Sequence, residues 1–174
     1  MRIRTCTLAV ALLLPSFAAA QGNPVADAFR SNASDEGKNL IEAAEDFPAV
    51  KYGFKPTKPQ MSFGDIVAHL AQANDYLCGA IGGAAAPTRT KLTGTDKKEV
   101  LVARLKETFA FCDQSLAKLD DSKLAEELPF FGRKMSRAGV MTLTTADWAD
   151  HYSQSAIYLR LNGKLPPTAK KKGP

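Results

Sequence analysis

Phe63, Ile66, Val67, Leu70, Asn74, Leu77 and Ile81 recur at spacings of three and four, and this stripe constrains the fold more than any other feature of the chain. That period lays a single, mostly apolar face along about five turns of α-helix. Ser62 stands just before the stripe with Asp65 three residues later, the pattern of a capping box, and Gly82-Gly83 closes it. A helix that is apolar on one side only must bury that side against other elements, so the rest of the chain has to supply partners.

The partners also read as helices. Val25, Phe29, Ala33, Leu40, Ala44 and Phe47 predict a helix from Pro24 to Phe47, ended by Pro48. Val50 to Gln60 is an extended linker, because Pro56 and Pro59 forbid a helix. After a loop from Ala84 to Gly94, a third helix opens at Thr95 or Asp96 and carries Leu101, Leu105, Phe109, Cys112, Leu116 and Leu119. Asp120 to Leu143 is irregular. Leu128 to Gly132 and Gly139 to Met141 suggest a loop or short hairpin covering one end of the molecule. A last helix spans Asp147 to Pro167, with Thr144 or Thr145 as N-cap, a buried face of Trp148, Tyr152, Ser155, Ala156 and Leu159, and Asn162-Gly163 and Pro166-Pro167 as stop signals. No stretch alternates long enough to build a sheet. The expected fold is all-α, a four-helix bundle with antiparallel or crossover connections and an irregular loop or hairpin between helices 3 and 4.

The 174 residues suffice for one buried core and not for two comfortable domains. Residues 1–20 read as a secretory signal: Arg2 and Arg4, a short apolar run from Leu8 to Leu14, Pro15, and Ala18-Ala19-Ala20 at a cleavage site. That run is too short for a retained membrane anchor. A secreted or periplasmic chain is expected, with a domain over 21–167, a disordered basic tail over 168–174 and no membrane association after cleavage. Losing Arg2 and Arg4 from the 23 basic residues, against 18 acidic ones, lowers the net charge from +5 to +3. Lys170, Lys171 and Lys172 account for much of what is left, so the basic balance points to no nucleic-acid partner. Cys78 and Cys112 remain after cleavage. In an oxidising compartment they are expected to form a disulfide, the alternative being two buried free thiols.

The chain has two histidines, His69 and His151, on different expected helices. Asp147 precedes His151 by four residues and so shares its flank of the helix. Two imidazoles and a carboxylate can hold zinc, nickel or iron(II) and leave a coordination position open. Each residue also has a plainer reading. Asp147 lies three residues after Thr144 and could complete a capping box; His69 could be a core histidine bonded to a backbone carbonyl or to Tyr76; His151 could fill space beside Trp148. Tyr158 and Arg160 could touch a substrate, or be a packed ring and a surface ion pair. No glycine-rich phosphate loop, nucleophile elbow or CxxC pair is present.

Met61-Ser-Phe-Gly-Asp-Ile-Val-Ala-His-Leu-Ala71, followed by Asn74-Asp-Tyr-Leu-Cys78, resembles the second helix of the DinB-like superfamily. Lys51-Tyr-Gly-Phe-Lys-Pro56 resembles its lead-in, and His151-Tyr152, Tyr158-Leu-Arg160 and Asn162 to Pro167 resemble its closing helix and tail. The resemblance runs in order over the whole mature chain. It implies a four-helix bundle with a divalent metal held by a histidine triad, one from the second helix and two, four apart, from the fourth. His69 and His151 fall on the first and last positions. Asp147 stands where the family usually has histidine, either as a third ligand or as the mark of a branch without metal.

The resemblance further implies metal-dependent chemistry on a small molecule: hydrolysis, isomerisation or transfer to a low-molecular-weight thiol. The alternative is a non-catalytic binding or stress-associated bundle. A third expectation is an interaction surface on the Leu128 to Met141 cover, where Phe130 and Phe131 look exposed. The partners expected are a small-molecule ligand and a second copy in a homodimer.

Overall fold

The structure, a computed structural model, describes residues 22–170. The expected signal peptide, and Lys171 to Pro174 of the expected tail, lie outside the described residues. Helix α1 spans Pro24–Asp46, α2 Phe63–Gly82 and α3 Lys98–Leu116. A hairpin of β1 (Glu127–Phe130) and β2 (Arg133–Ser136) follows, then α4 (Arg137–Leu161) and a short α5 (Pro167–Lys170).

The caps explain the boundaries. Ser62 Oγ accepts from the Asp65 N–H at 3.1 Å while Asp65 Oδ2 accepts from the Ser62 N–H at 3.0 Å, the reciprocal pair expected from the sequence. Gly83 leaves α2 with φ 71°, the left-handed turn that glycine takes without steric cost. The third helix starts later than expected, at Lys98, because Asp96 is spent on the preceding turn, where it accepts from the Thr93 N–H at 2.7 Å.

The largest departure is α4, which begins ten residues before Asp147. Its N-cap is Ser136, whose hydroxyl accepts from the Gly139 N–H at 3.1 Å. Thr144 is therefore mid-helix and fully buried, with its hydroxyl donating to the Val140 carbonyl. Gly139 to Met141, expected in the cover, belong to this helix. The cover itself is the antiparallel hairpin, with Pro129 opposite Lys134 and Phe131-Gly132 at its tip. Thr168 to Lys170, expected in a disordered tail, instead lie in α5. Tyr152 Oη donates to Thr168 Oγ1 at 2.9 Å, and Lys170 pairs with Glu42 and Asp46.

Long-range contacts set the topology. Asn74 meets Thr108 and Cys78 is bonded to Cys112, so α2 and α3 run parallel. Lys98 at the start of α3 reaches Phe47 O past the end of α1, while Arg30 near the start of α1 reaches Leu116 and Leu119 O, so these two are antiparallel. Tyr158 donates to Met61 O at one end of α2 and Arg137 donates to Ile81 O at the other, so α4 is antiparallel to α2. The bundle is thus up-down-down-up, with residues 83–97 as the crossover. Each helix packs on two neighbours: α2 on α3 and α4, and α1 on α3 and α4. Among the described residues no helix is long and apolar enough to cross a membrane.

Candidate metal centre

Where α2 crosses α4, Trp148 is fully buried and its indole N–H donates to Asn74 Oδ1 at 2.9 Å. With Trp148 held inward, the adjacent flank of α4 carries Asp147 and, one turn on, His151 towards His69 on α2. His69 Nε2 lies 3.8 Å from Asp147 Oδ1, and His151 Nε2 lies 3.4 Å from the same oxygen. The two imidazole centroids are 4.7 Å apart. One ligand atom from each residue can be chosen so that all lie within 4.8 Å of one another. The three residues expected from the sequence are brought together.

The separations speak to what the group can hold. At 3.4 and 3.8 Å the imidazole–carboxylate contacts are longer than good hydrogen bonds. Ligands placed about 2.1 Å from a shared tetrahedral ion stand roughly 3.4 Å apart, so small side-chain adjustments would close the set on a metal. Asp147 Oδ2 and His151 Nδ1 are buried with no hydrogen-bond partner among the described residues, an arrangement that costs stability. The atoms that converge are the others of each group, Asp147 Oδ1 and the two Nε2 nitrogens. The donor set fits zinc, nickel or iron(II) and does not choose among them.

Asp147 cannot be a helix cap, because it lies near the middle of α4. Burial pushes its carboxyl pKa up, but the imidazoles of His151 and His69 outweigh burial and hold it well below the usual carboxylate range. The same carboxylate raises His69 above its ordinary value of 6.5, against the opposing effect of desolvation. The plainer reading of His69 also fails: it is half-exposed rather than in the core, and its near partner is Asp147 rather than Tyr76. His151 is buried, as a packing residue would be, and turns Nε2 to the carboxylate. Tyr158, by contrast, is a packed ring whose hydroxyl donates to Met61 O at 2.8 Å, far from the centre. Arg160 is exposed and, among the described residues, its side chain reaches the Ala156 carbonyl, at 3.4 Å.

The group opens onto a cleft of about 1060 Å³. His69, Gln72, Ala73 and Tyr76 of α2 form one wall, and Leu143, Ala146, Asp147 and Asp150 of α4 another. The crossover supplies Lys91 to Gly94, and the hairpin supplies Phe130 and Phe131. Sequence periodicity places His69, Ala73 and Tyr76 on one side of α2. Nothing local shows that the crossover and hairpin reach the same space. Asp75 holds Arg89 at 2.7 Å, and Gln72 donates to Leu92 O at 3.2 Å, so two α2 side chains fasten the crossover over the cleft. Phe130 is buried and Phe131 is 75% exposed, so only one of the two expected exposed rings is so.

Comparison with known proteins agrees with this architecture. A DinB-like protein from Bacillus subtilis superposes with a TM-score of 0.63 at 21% identity, covering 78% of this chain and 92% of that one. A DinB-like protein from Bacillus cereus gives 0.67 at 13% identity, with 81% and 95% covered. A conserved protein from Enterococcus faecalis gives 0.61 at 14%, with 77% and 94% covered. These likenesses show a shared fold. No curated protein matches the chain. Residues 34–155 match the model of the DinB superfamily, most of the described structure and both helices of the candidate centre, and the chain belongs to that superfamily.

Proposed function

We propose that the protein is a divalent-metal-dependent enzyme acting on a small molecule, and that it works outside the cytoplasm. The observation that carries the reading is the convergence of His69 Nε2 and His151 Nε2 on Asp147 Oδ1, beside an open cleft that His69 and Asp147 line. A divalent ion held there would supply Lewis acidity and an activated water.

The chain's own residues supply the rest. Asp147 stays ionised over the whole physiological range and so keeps its oxygens available for ligation. His151, buried behind it, fixes one side of the set, while half-exposed His69 faces the substrate space. The Trp148–Asn74 bond keeps α4 from rotating and so keeps Asp147 and His151 aimed at His69. The buried Cys78–Cys112 disulfide supports export, since such bonds persist in oxidising compartments. Export in turn favours hydrolysis or isomerisation over thiol transfer, whose small-thiol cosubstrates are cytosolic.

The test is elemental analysis of the mature protein, purified without chelator or affinity tag, beside His151→Ala. Near-stoichiometric zinc, nickel or iron that disappears in the variant is expected. Protein free of metal, together with a variant of unchanged stability, would overturn the reading and leave a non-catalytic bundle.

A further inference from the structure

The hairpin tip pays a conformational cost that its own turn does not require. Phe131 and Gly132 are the two central residues of the loop, both with positive φ (46° and 77°), as tight hairpins demand. Asparagine, aspartate or glycine meets that demand cheaply at the first position, whereas a bulky side chain in the left-handed region is strained. This side chain is also 75% exposed, so burial does not compensate the strain. Strain of this kind persists where it serves a site.

Phe131 overhangs the mouth of the cleft. Its ring lies 4.9 Å from Tyr76 and 4.7 Å from Phe130, and its backbone N–H donates to Tyr76 Oη at 3.3 Å. Tyr76 is itself partly exposed, as is Leu143 on the opposite wall. The charges near these rings are mostly committed elsewhere: Asp65 is spent in the α2 cap, Asp150 accepts from Gln154, Asp147 belongs to the candidate centre and the Arg133 guanidinium lies 6.0 Å from the Phe130 ring, while Lys91 at the edge has no ion pair among the described residues. Tyr76 stands seven residues from His69 on one face of α2, which is about 10 Å along the helix.

We propose that Tyr76 and Phe131 form an aromatic subsite that receives a planar, uncharged apolar group of the substrate about 10 Å from the His69–Asp147–His151 floor, and that Phe131 selects for that group. The assignment of the floor as a reaction centre rests on the function proposed above; the subsite itself does not need a metal. A ligand reaching from one to the other is an elongated molecule with a reactive polar end and an aromatic or similarly flat end. Ring-on-ring contact with Tyr76 and Phe131 gives the flat end its affinity.

N-phenyl-1-naphthylamine, uncharged and fluorescent in apolar surroundings, tests the subsite directly by titration against the full mature protein. Saturable binding is expected for the native protein and for His151→Ala alike, because the metal is not a contact. Phe131→Gly removes the ring and relieves the backbone, so it should weaken binding about tenfold while leaving thermal stability equal or higher. Tyr76→Ala should weaken binding similarly, and Val50→Ala, at an exposed apolar position outside the cleft lining, should not change it. Unchanged affinity in Phe131→Gly, or no saturable binding by the native protein, would overturn the proposal. So would a clear loss of stability in Phe131→Gly, which would make Phe131 a packing residue. Loss of metal from His151→Ala with probe binding intact separates the fate of this subsite from that of the metal centre.

Discussion

Asn74 accepts the Trp148 indole N–H at 2.9 Å and donates to Thr108 at 3.3 Å, so one amide buried between α2, α3 and α4 fixes how the three meet. Trp148 follows Asp147 in sequence, and the rotation that buries one presents the other to His69. Replacing Asn74 with leucine leaves the indole N–H without an acceptor in an apolar core. A loss of about 2 kcal/mol is expected, read by denaturant unfolding, together with weakened metal retention as α4 relaxes. Native stability in this variant would show that the indole finds another partner.

Gly64 and Gly94 touch where the crossover passes the start of α2. A Cβ on Gly64 would stand 2.2 Å from the Gly94 carbonyl oxygen, a backbone atom with little room to move because Gly94 itself abuts Asp65. Gly64→Ala should therefore displace the cleft wall and cost about 1–3 kcal/mol. At Gly53, by contrast, a Cβ meets nothing within 4 Å, so Gly53→Ala should stay within about 0.5 kcal/mol of native. Chemical denaturation of the pair checks the contrast.

The Cys78–Cys112 bond closes a separation of 34 residues and ties the two parallel helices in their last turns. Chain entropy assigns such a loop about 4 kcal/mol. A drop in melting temperature on full reduction after unfolding is expected, and both sulfurs should resist reductant in the native state because neither residue is exposed. A Cys78→Ala/Cys112→Ala variant as stable as the native protein would contradict this.

If the centre holds a metal as proposed, proton and metal compete at His69. In the metal-free protein, Asp147 raises His69 above 6.5, so this contribution to stability is complete below the unfolded histidine value and is lost as pH rises through the folded one. Asp147 is depressed below 3.8, so its contribution is complete above that value and is lost on further acidification. The pairing is thus strongest between about pH 4 and 6.5. Metal binding must expel the His69 proton, so affinity should climb with pH until His69 is neutral, by up to about tenfold per unit. Zinc titrations at several pH values on native protein and His69→Gln check this. Equal slopes in both would remove His69 from the ligand set.

Much of the bundle was legible because helix periodicity and caps are local. The Ser62–Asp65 box, the Pro24 start and the apolar stripes report each helix and its buried face without reference to any other. His69 and His151 stood out by scarcity, and the spacing of Asp147 and His151 put them on one flank of any helix that contained both. The start of α4 is not legible locally, because Thr144 and Thr145 look like caps, while the true cap, Ser136, lies at the end of a strand whose pairing is with residues 127–130.

Pairwise relations between distant segments belonged to the tertiary structure alone. A stripe shows that a face is buried, not which helix buries it, so the parallel α2–α3 pairing and the crossover could not be read locally. For the same reason only the start of α4 at Arg137 excludes Asp147 as a helix cap. The cleft needed four separate segments to meet, and Phe131 acquires its place over Tyr76 only when the hairpin folds across the end of the bundle. Local chemistry chose the helices and the ligand types; packing over long sequence separations decided which of those groups face one another.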